Sequence, residues 1–368
     1  MFAYFTRLGR SCREICPAVA SAIQDGGTPI TDGSTRSLMI VSVVCPCRNE
    51  IDHIDAFLRT LSQQQTSGFD LEIIVADGES DDGTAEVLAA WQGKDPRIKV
   101  FSNGGQVVST GLNTAIGMAQ GEIIVRMDVH TEYAKDYVEQ CVKELKQTRA
   151  TCVGGPWRAK GKSLRQKAIA AAFGSAFGSG GAKSRRASYT GFVDTVYLGA
   201  WWRADLIALG GFDEQLVRNQ DDELCLRIIQ AGGTVWQSNA IRSHYIPRAT
   251  LLELWRQFYQ YGYWRAAVVR KHRLPSSLRQ LTPTLFTAAV TILLVIAIAS
   301  PLARLLVMGL LGTYVVAAIF AAIKAADSPA TVMLVVLSFI VMHFGYGIGF
   351  AHGILDFGLL RRTSPSRP

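Results

Sequence analysis

From residue 281 to 323 the only charged side chain is Arg304, and residues 331–355 contain no Asp, Glu, Lys or Arg. The hydrocarbon core of a bilayer is about 30 Å thick, which a helix crosses in roughly 20 residues. The first run has room for two spans, broken at Ser300-Pro301, and the second supplies a third. Buried helices of a water-soluble domain seldom run this long without a polar face. Residues 281–358 therefore read as about three transmembrane helices, followed by a basic tail over 359–368. Arg265, Arg270, Lys271, Arg273 and Arg279 crowd the entry to the first span, which places the large N-terminal part in the cytoplasm. The expectation is a multi-pass protein of the inner (plasma) membrane. Three spans put Arg361 and Arg362 outside, against the same rule, so the orientation rests on the denser N-terminal cluster.

The remaining residues have another character. With 49% hydrophobic and 18% charged residues over 368 positions, the chain is neither disordered nor a collagen or coiled-coil repeat. From residue 280 on there are five Lys/Arg and two Asp/Glu, net +3 of the chain's +8, so the basic balance is not confined to a tail. No nucleic-acid partner is expected. Arg7 and Arg10 lie near Met1, but the apolar run of about 7–15 residues that a secretory signal needs does not follow them. Residues 1–37 read as a short interfacial helix over 2–22 and a Gly/Thr/Ser-rich linker over 26–37. The seven cysteines include Cys45-Pro46-Cys47 but no C-x-x-C pair there, and read mainly as small buried apolar residues.

Residues 38–250 read as alternating strands and helices. An apolar, β-branched run over 38–45 ends in Pro46-Cys47-Arg48-Asn49-Glu50, with a helix over 51–65 after it. A second run over 71–76 ends at Asp77, and Gly78 to Thr84 suit a turn and helix cap before a helix over 85–92. A short strand over 99–101, a helix over 107–118 and a strand over 122–127 ending at Asp128 complete the series. Such runs, separated by helices, predict an α/β fold with a mostly parallel sheet covered on both faces. Ligands of such sheets bind outside the carboxyl ends of the strands. Three strand ends carry acidic or polar clusters: Arg48-Asn49-Glu50, Asp77, and Asp128-Val129-His130. Each alone is an ordinary loop, but their placement at one edge points to a site. Asp128 and His130, alternating across Val129, offer oxygen and nitrogen ligands to a divalent metal, Mg²⁺ or Mn²⁺, whose shell a pyrophosphate would complete.

No familiar phosphate loop competes. Gly180-Gly181-Ala182-Lys183-Ser184 has alanine where a Walker loop needs glycine and follows no strand, and no G-x-G-x-x-G follows a strand. The strings 41–50 and 76–84, with Asn103-Gly104-Gly105, Asn113, Gly121-Glu122 and Arg126-Met127-Asp128-Val129-His130, resemble the inverting family-two glycosyltransferases of GT-A fold. The strings 153–156, 193–199, 218–224 and 245–248 resemble the succinoglycan-biosynthesis type of membrane glycosyltransferase, bacterial enzymes that extend a lipid-linked sugar. That resemblance implies a nucleotide pocket of Pro46, Arg48, Glu50, Asp77, Ser80 and Asp82, with Asp77 on the base. It makes Asp128 the first acid of the metal motif, with His130 where the second acid usually stands, and His244 a further metal or phosphate contact. Asp221 matches the general base, with Gln220 in the place of the family's Glu and Asp222 the neighbouring catalytic candidate. It further implies a UDP-sugar donor, a polyprenyl-diphosphate-linked saccharide acceptor and membrane lipid as partners.

The chemistry asks for the same groups. A nucleoside diphosphate gains charge as it leaves, and an acceptor hydroxyl needs a carboxylate to take its proton. In a helix over 220–230 successive side chains fan out by about 100°, so Asp221, Asp222 and Glu223 cannot all serve. Asp222 and Glu223 also suit the plain role of acids in a first helical turn, with Glu223 able to pair with Arg227. The aromatic segment over 251–280, with Trp255, Phe258, Tyr259, Tyr261, Tyr263 and Trp264, reads as an interfacial helix with its rings at headgroup level. Gln260 to Arg265 do not match the Q-x-x-R-W signature of processive synthases, which favours single-sugar addition. A processive polysaccharide synthase and a non-catalytic membrane scaffold are the alternatives. His343 and His352 lie on opposite sides of a helix and read as packing or interfacial residues.

Overall fold

The computed structural model describes residues 38–360. The interfacial helix and linker expected over 1–37, and most of the tail expected over 359–368, lie outside the described residues. The described residues divide into two compact units: one holds residues 38–156 together with Ala187–Ser243, the other Trp157–Arg186 together with residues 244–360.

The first unit is built on a sheet of eight strands. β1 (Met39–Cys47), β2 (Phe69–Asp77), β3 (Ile98–Ser102) and β4 (Ile123–Arg126) are mutually parallel, in the order β3-β2-β1-β4. A short strand, β5 (Thr131–Tyr133), follows β4 outside this sheet. The sheet continues through β8 (Tyr197–Trp202), β6 (Cys152–Gly155), β9 (Val235–Gln237) and β7 (Gly191–Phe192), where β8 runs antiparallel to both β4 and β6. Helices cover both faces, as near-continuous apolar strands require. Val41, Val43 and Cys45 pack under α1 (Ile54–Ser62), α2 (Thr84–Lys94) and α4 (Tyr137–Thr148). Val44, Ile74 and Ala76 pack under α3 (Val108–Met118), α6 (Arg203–Ala208) and α7 (Gln220–Gln230). The register brings Cys47 beside Asp77 and Asp77 beside Ser102, so the strand ends share one edge. Pro46 sits in a strand flanked on both sides, yet it costs no ladder bond: β4 leaves β1 after Val44, so the missing N–H faces no partner strand. The described cysteines, Cys45, Cys47, Cys141, Cys152 and Cys225, are buried free thiols.

The second unit contains α5 (Leu164–Gly174) and α8 (Leu251–His272), each opened by a capping box, then α9 (Thr282–Ala297), α10 (Pro301–Ala325) and α11 (Pro329–Gly353). Segments Leu278–Ala297, Pro301–Ala325 and Pro329–Gly358 are long and apolar enough to cross a membrane. Ser300 caps α10 and Pro301 opens it, which places the break where the sequence predicted. In the aromatic segment Trp255, Phe258, Tyr259 and Tyr261 stay partly exposed. α8 packs lengthwise on α11, and a methyl group at Gly262, Gly349 or Gly353 would collide with the main-chain oxygen of Tyr346, Tyr259 or Tyr263. Tyr263 and Trp264 are buried, and Tyr263 Oη donates to Asp356 Oδ2 at 2.8 Å. His343 bridges Tyr314 Oη (2.9 Å) and the Phe177 carbonyl (3.1 Å), consistent with a packing role. Gly349→Val should therefore cost about 1–3 kcal/mol by overpacking, read as a lower melting temperature in detergent. An unchanged melting temperature would mean that α8 and α11 do not pack so closely.

Candidate active site

The loops after β1 and β2 are tied together by their own polar side chains. Asn49 takes a left-handed φ of +53°, which an Asn tolerates. Its main-chain N–H donates to Ser80 Oγ (2.9 Å) and its side-chain amide to Asp81 Oδ1 (2.8 Å). Ser80 Oγ in turn donates to Asp77 Oδ1 at 2.5 Å. The Glu50 N–H donates to Thr84 Oγ1 (2.8 Å), and the Ile51 N–H to Asp82 Oδ2 (3.1 Å). The Thr84 hydroxyl and neighbouring amides hold the Asp82 carboxyl below its ordinary range. Ser80 and Asp82 thus knit the two loops, with Arg48 lying over Gly78 and donating to the Gln106 carbonyl at 3.4 Å.

After β4 the chain turns instead of running on extended. The Thr131 N–H donates to the Asp128 carbonyl at 3.2 Å, so Asp128 and His130 belong to a turn and do not alternate as on a strand. His130 Nε2 lies 2.6 Å from Glu50 Oε1, joining the ends of β1 and β4.

The centre of the site is a residue to which the sequence reading gave no role. Arg126, with 4% of its side chain exposed, donates from Nε to Asp128 Oδ1 (2.8 Å) and from Nη2 to Asp128 Oδ2 (2.9 Å). Its Nη1 donates to Asp221 Oδ1. The signal was present: an arginine in an apolar strand must be buried with a partner. Asp221 lies in the first turn of α7, which begins at Gln220 as predicted. Although 31% of its side-chain surface is open, the enclosing protein pushes its carboxyl up to about 6, against the opposing pull of Arg126.

Glu223, two residues on in the same first turn, is fully buried, and its predicted pairing with Arg227 is present. Both its oxygens accept from Arg227, at 2.8–2.9 Å, and Arg227 Nη2 donates to the Gly211 carbonyl at 2.7 Å. This buried pair anchors the start of α7 and so fixes where Asp221 emerges. Asp222 lies on the same turn, and His244 belongs to the second unit.

Among the described residues, no three His, Cys, Asp or Glu side chains form a ready metal cage. A hard cation such as Mg²⁺ is usually held by one or two carboxylates plus substrate phosphates, so a full cage is not required. Each Asp128 oxygen accepts one N–H and keeps a second lone pair, and the Asp128 side chain is 29% exposed. If His130 donates Nε2–H to Glu50, its Nδ1 keeps a lone pair, the arrangement seen when a carboxylate orients a metal-ligating histidine. These residues fit a cation that a diphosphate helps to hold.

The family model for Glycosyl transferase family 2 matches residues 42–202, which include Asp77 and Asp128. The succinoglycan biosynthesis protein ExoA of Rhizobium meliloti is 31% identical over 328 residues, 88% of this chain and 96% of that protein. The chain belongs to glycosyl transferase family 2. A second relative, the dolichyl N-acetyl-alpha-D-glucosaminyl phosphate 3-beta-D-2,3-diacetamido-2,3-dideoxy-beta-D-glucuronosyltransferase of Methanococcus voltae, is 24% identical over 63% of this chain and 74% of its own length. In fold, the chain is similar to the mannosyltransferase PcManGT of Pyrobaculum calidifontis, solved with GDP-Man and Mn²⁺. The TM-score is 0.57 at 18% identity, over 96% of this chain and 94% of the other. The fold is of the GT-A type, as the sequence led one to expect.

Proposed function

We propose that this glycosyltransferase is inverting and metal-dependent, and moves a hexose from a UDP-sugar to a polyprenyl-diphosphate-linked saccharide during surface-glycan assembly. It would work as a multi-pass protein at the cytoplasmic face of the inner membrane. The observation that carries the reading is the pairing of Asp128 and Asp221 through one guanidinium, a donor-side acid and a proton acceptor held in one site. The lipid-linked acceptor draws support from the dolichyl-phosphate substrate named for the Methanococcus relative and from the three apolar helices. The cation draws support from the Mn²⁺ in the mannosyltransferase.

When bound, a divalent cation supplies charge neutralisation at the leaving diphosphate. Asp128, with His130 beside it, would hold that cation, while Asp77 and the Arg48–Glu50 loop enclose the nucleoside. Asp221 takes the proton of the acceptor hydroxyl at Oδ2, since Oδ1 accepts from Arg126. A carboxyl near 6 is better matched to that transfer at neutral pH than an ordinary aspartate.

Purified full-length protein with Mn²⁺, a polyprenyl-linked saccharide and a panel of nucleotide sugars should consume a UDP-hexose. If no nucleotide sugar turns over, the sheet is a scaffold. The base must be ionised, so kcat/KM should fall as pH drops through about 6. Activity at pH 5 should be about a tenth of that at pH 7. A profile flat across that range would remove Asp221 as the base.

A further inference from the structure

We propose that Arg126 is the positioning residue of the site: its guanidinium sets the place of the Asp221 carboxylate relative to Asp128. The proposal rests on the reading of Asp221 as base. A guanidinium is a rigid plane with five donors in fixed directions. Here Nε and Nη2, one edge of that plane, are both taken by Asp128, which fixes the orientation of the whole group. The direction of Nη1 is then no longer free, and it points at Asp221, 95 residues away in sequence.

The surroundings hold the plane from other sides. Arg126 ends β4, whose register with β1 is set by the Val44–Arg126 pair. Its Cζ lies 5.8 Å from the centre of the Phe212 ring. Phe212 follows Gly211, whose carbonyl receives Arg227 and so anchors α7. One loop thus braces both the guanidinium and the helix that carries the base.

Charge points the same way. Asp128 and Asp221 would repel if brought together alone, and the buried cation between them makes their approach possible. Lysine keeps that charge but has one ammonium on a flexible stem, and cannot hold two carboxylates in a fixed relation. Displacing a catalytic group by about 1 Å can cost about 100-fold in rate.

The test is a double-mutant cycle on the full-length protein in Mn²⁺, with UDP-, GDP- and TDP-hexoses as donors and a polyprenyl-diphosphate-linked monosaccharide as acceptor. Arg126→Lys should lower kcat by about 100-fold with Asp221 present. In the Asp221→Asn background it should lower kcat by less than about threefold, because the group it positions is already lost. Equal losses in both backgrounds, or no loss from Arg126→Lys alone, would overturn the proposal and leave the base reading intact. Near-normal turnover in Asp221→Asn would instead remove the base reading, and absence of turnover in the parent would remove both. Arg126→Gln goes through the same cycle in case the lysine variant fails to fold. If neither variant folds, even beside Asp221→Asn, Arg126 serves the fold and the proposal fails.

Discussion

Asp128→Ala should abolish turnover and, with it, Mn²⁺-dependent nucleotide binding. The carboxylate is the acid that the turn after β4 presents at the sheet edge, and its exposed lone pairs are what a cation could use. Without it, the charge that develops on the leaving diphosphate loses its counter-charge, an effect worth more than about a thousandfold in rate. The fold should survive, since Arg126 keeps Asp221 as a partner and is not left as an unpaired buried cation. Calorimetry with UDP separates the cases. The parent should bind more tightly in Mn²⁺ than in EDTA, whereas the variant should bind equally weakly in both. A variant that binds UDP in Mn²⁺ as well as the parent would place the metal elsewhere.

Asp221→Asn should bind donor and metal nearly normally while turnover falls by about two to four orders of magnitude. Asparagine keeps the shape of the side chain and can still meet Arg126, but cannot accept a proton at neutral pH. Asp222→Asn should be milder, because the contacts of Arg126 go to Asp221. Measured with the same donor, a dead Asp222→Asn beside a near-normal Asp221→Asn would move the base by one residue. Near-normal turnover in both would remove α7 from the chemistry.

The elements that carry the site were legible because their signals are local. β1, β2 and β4 are mainly apolar runs, and the Asp221 helix starts and stops at Gln220 and Gln230 as predicted. Ser300-Pro301 marked the helix break for the same reason. What stayed hidden depends on partners distant in sequence. Arg126 stood within a motif that was read for its acid, and its role needs Asp221 from α7. Glu223 was legible as the i+4 partner of Arg227, but not as a buried anchor, since the carbonyls that Arg227 also meets come from a separate loop. Antiparallel β8 beside β4 could not be read from a short run that carries no direction. Nor could the burial of Tyr263 and Trp264, which depends on the glycines of α11.

The central claim is a single displacement assisted by Asp221, and the anomeric configuration of the product tests it most directly. With an α-linked UDP-hexose, proton NMR of the saccharide released from the lipid should show a new β-linkage, because one attack from the face opposite the diphosphate inverts the anomeric carbon. An α-linked product would contradict the account.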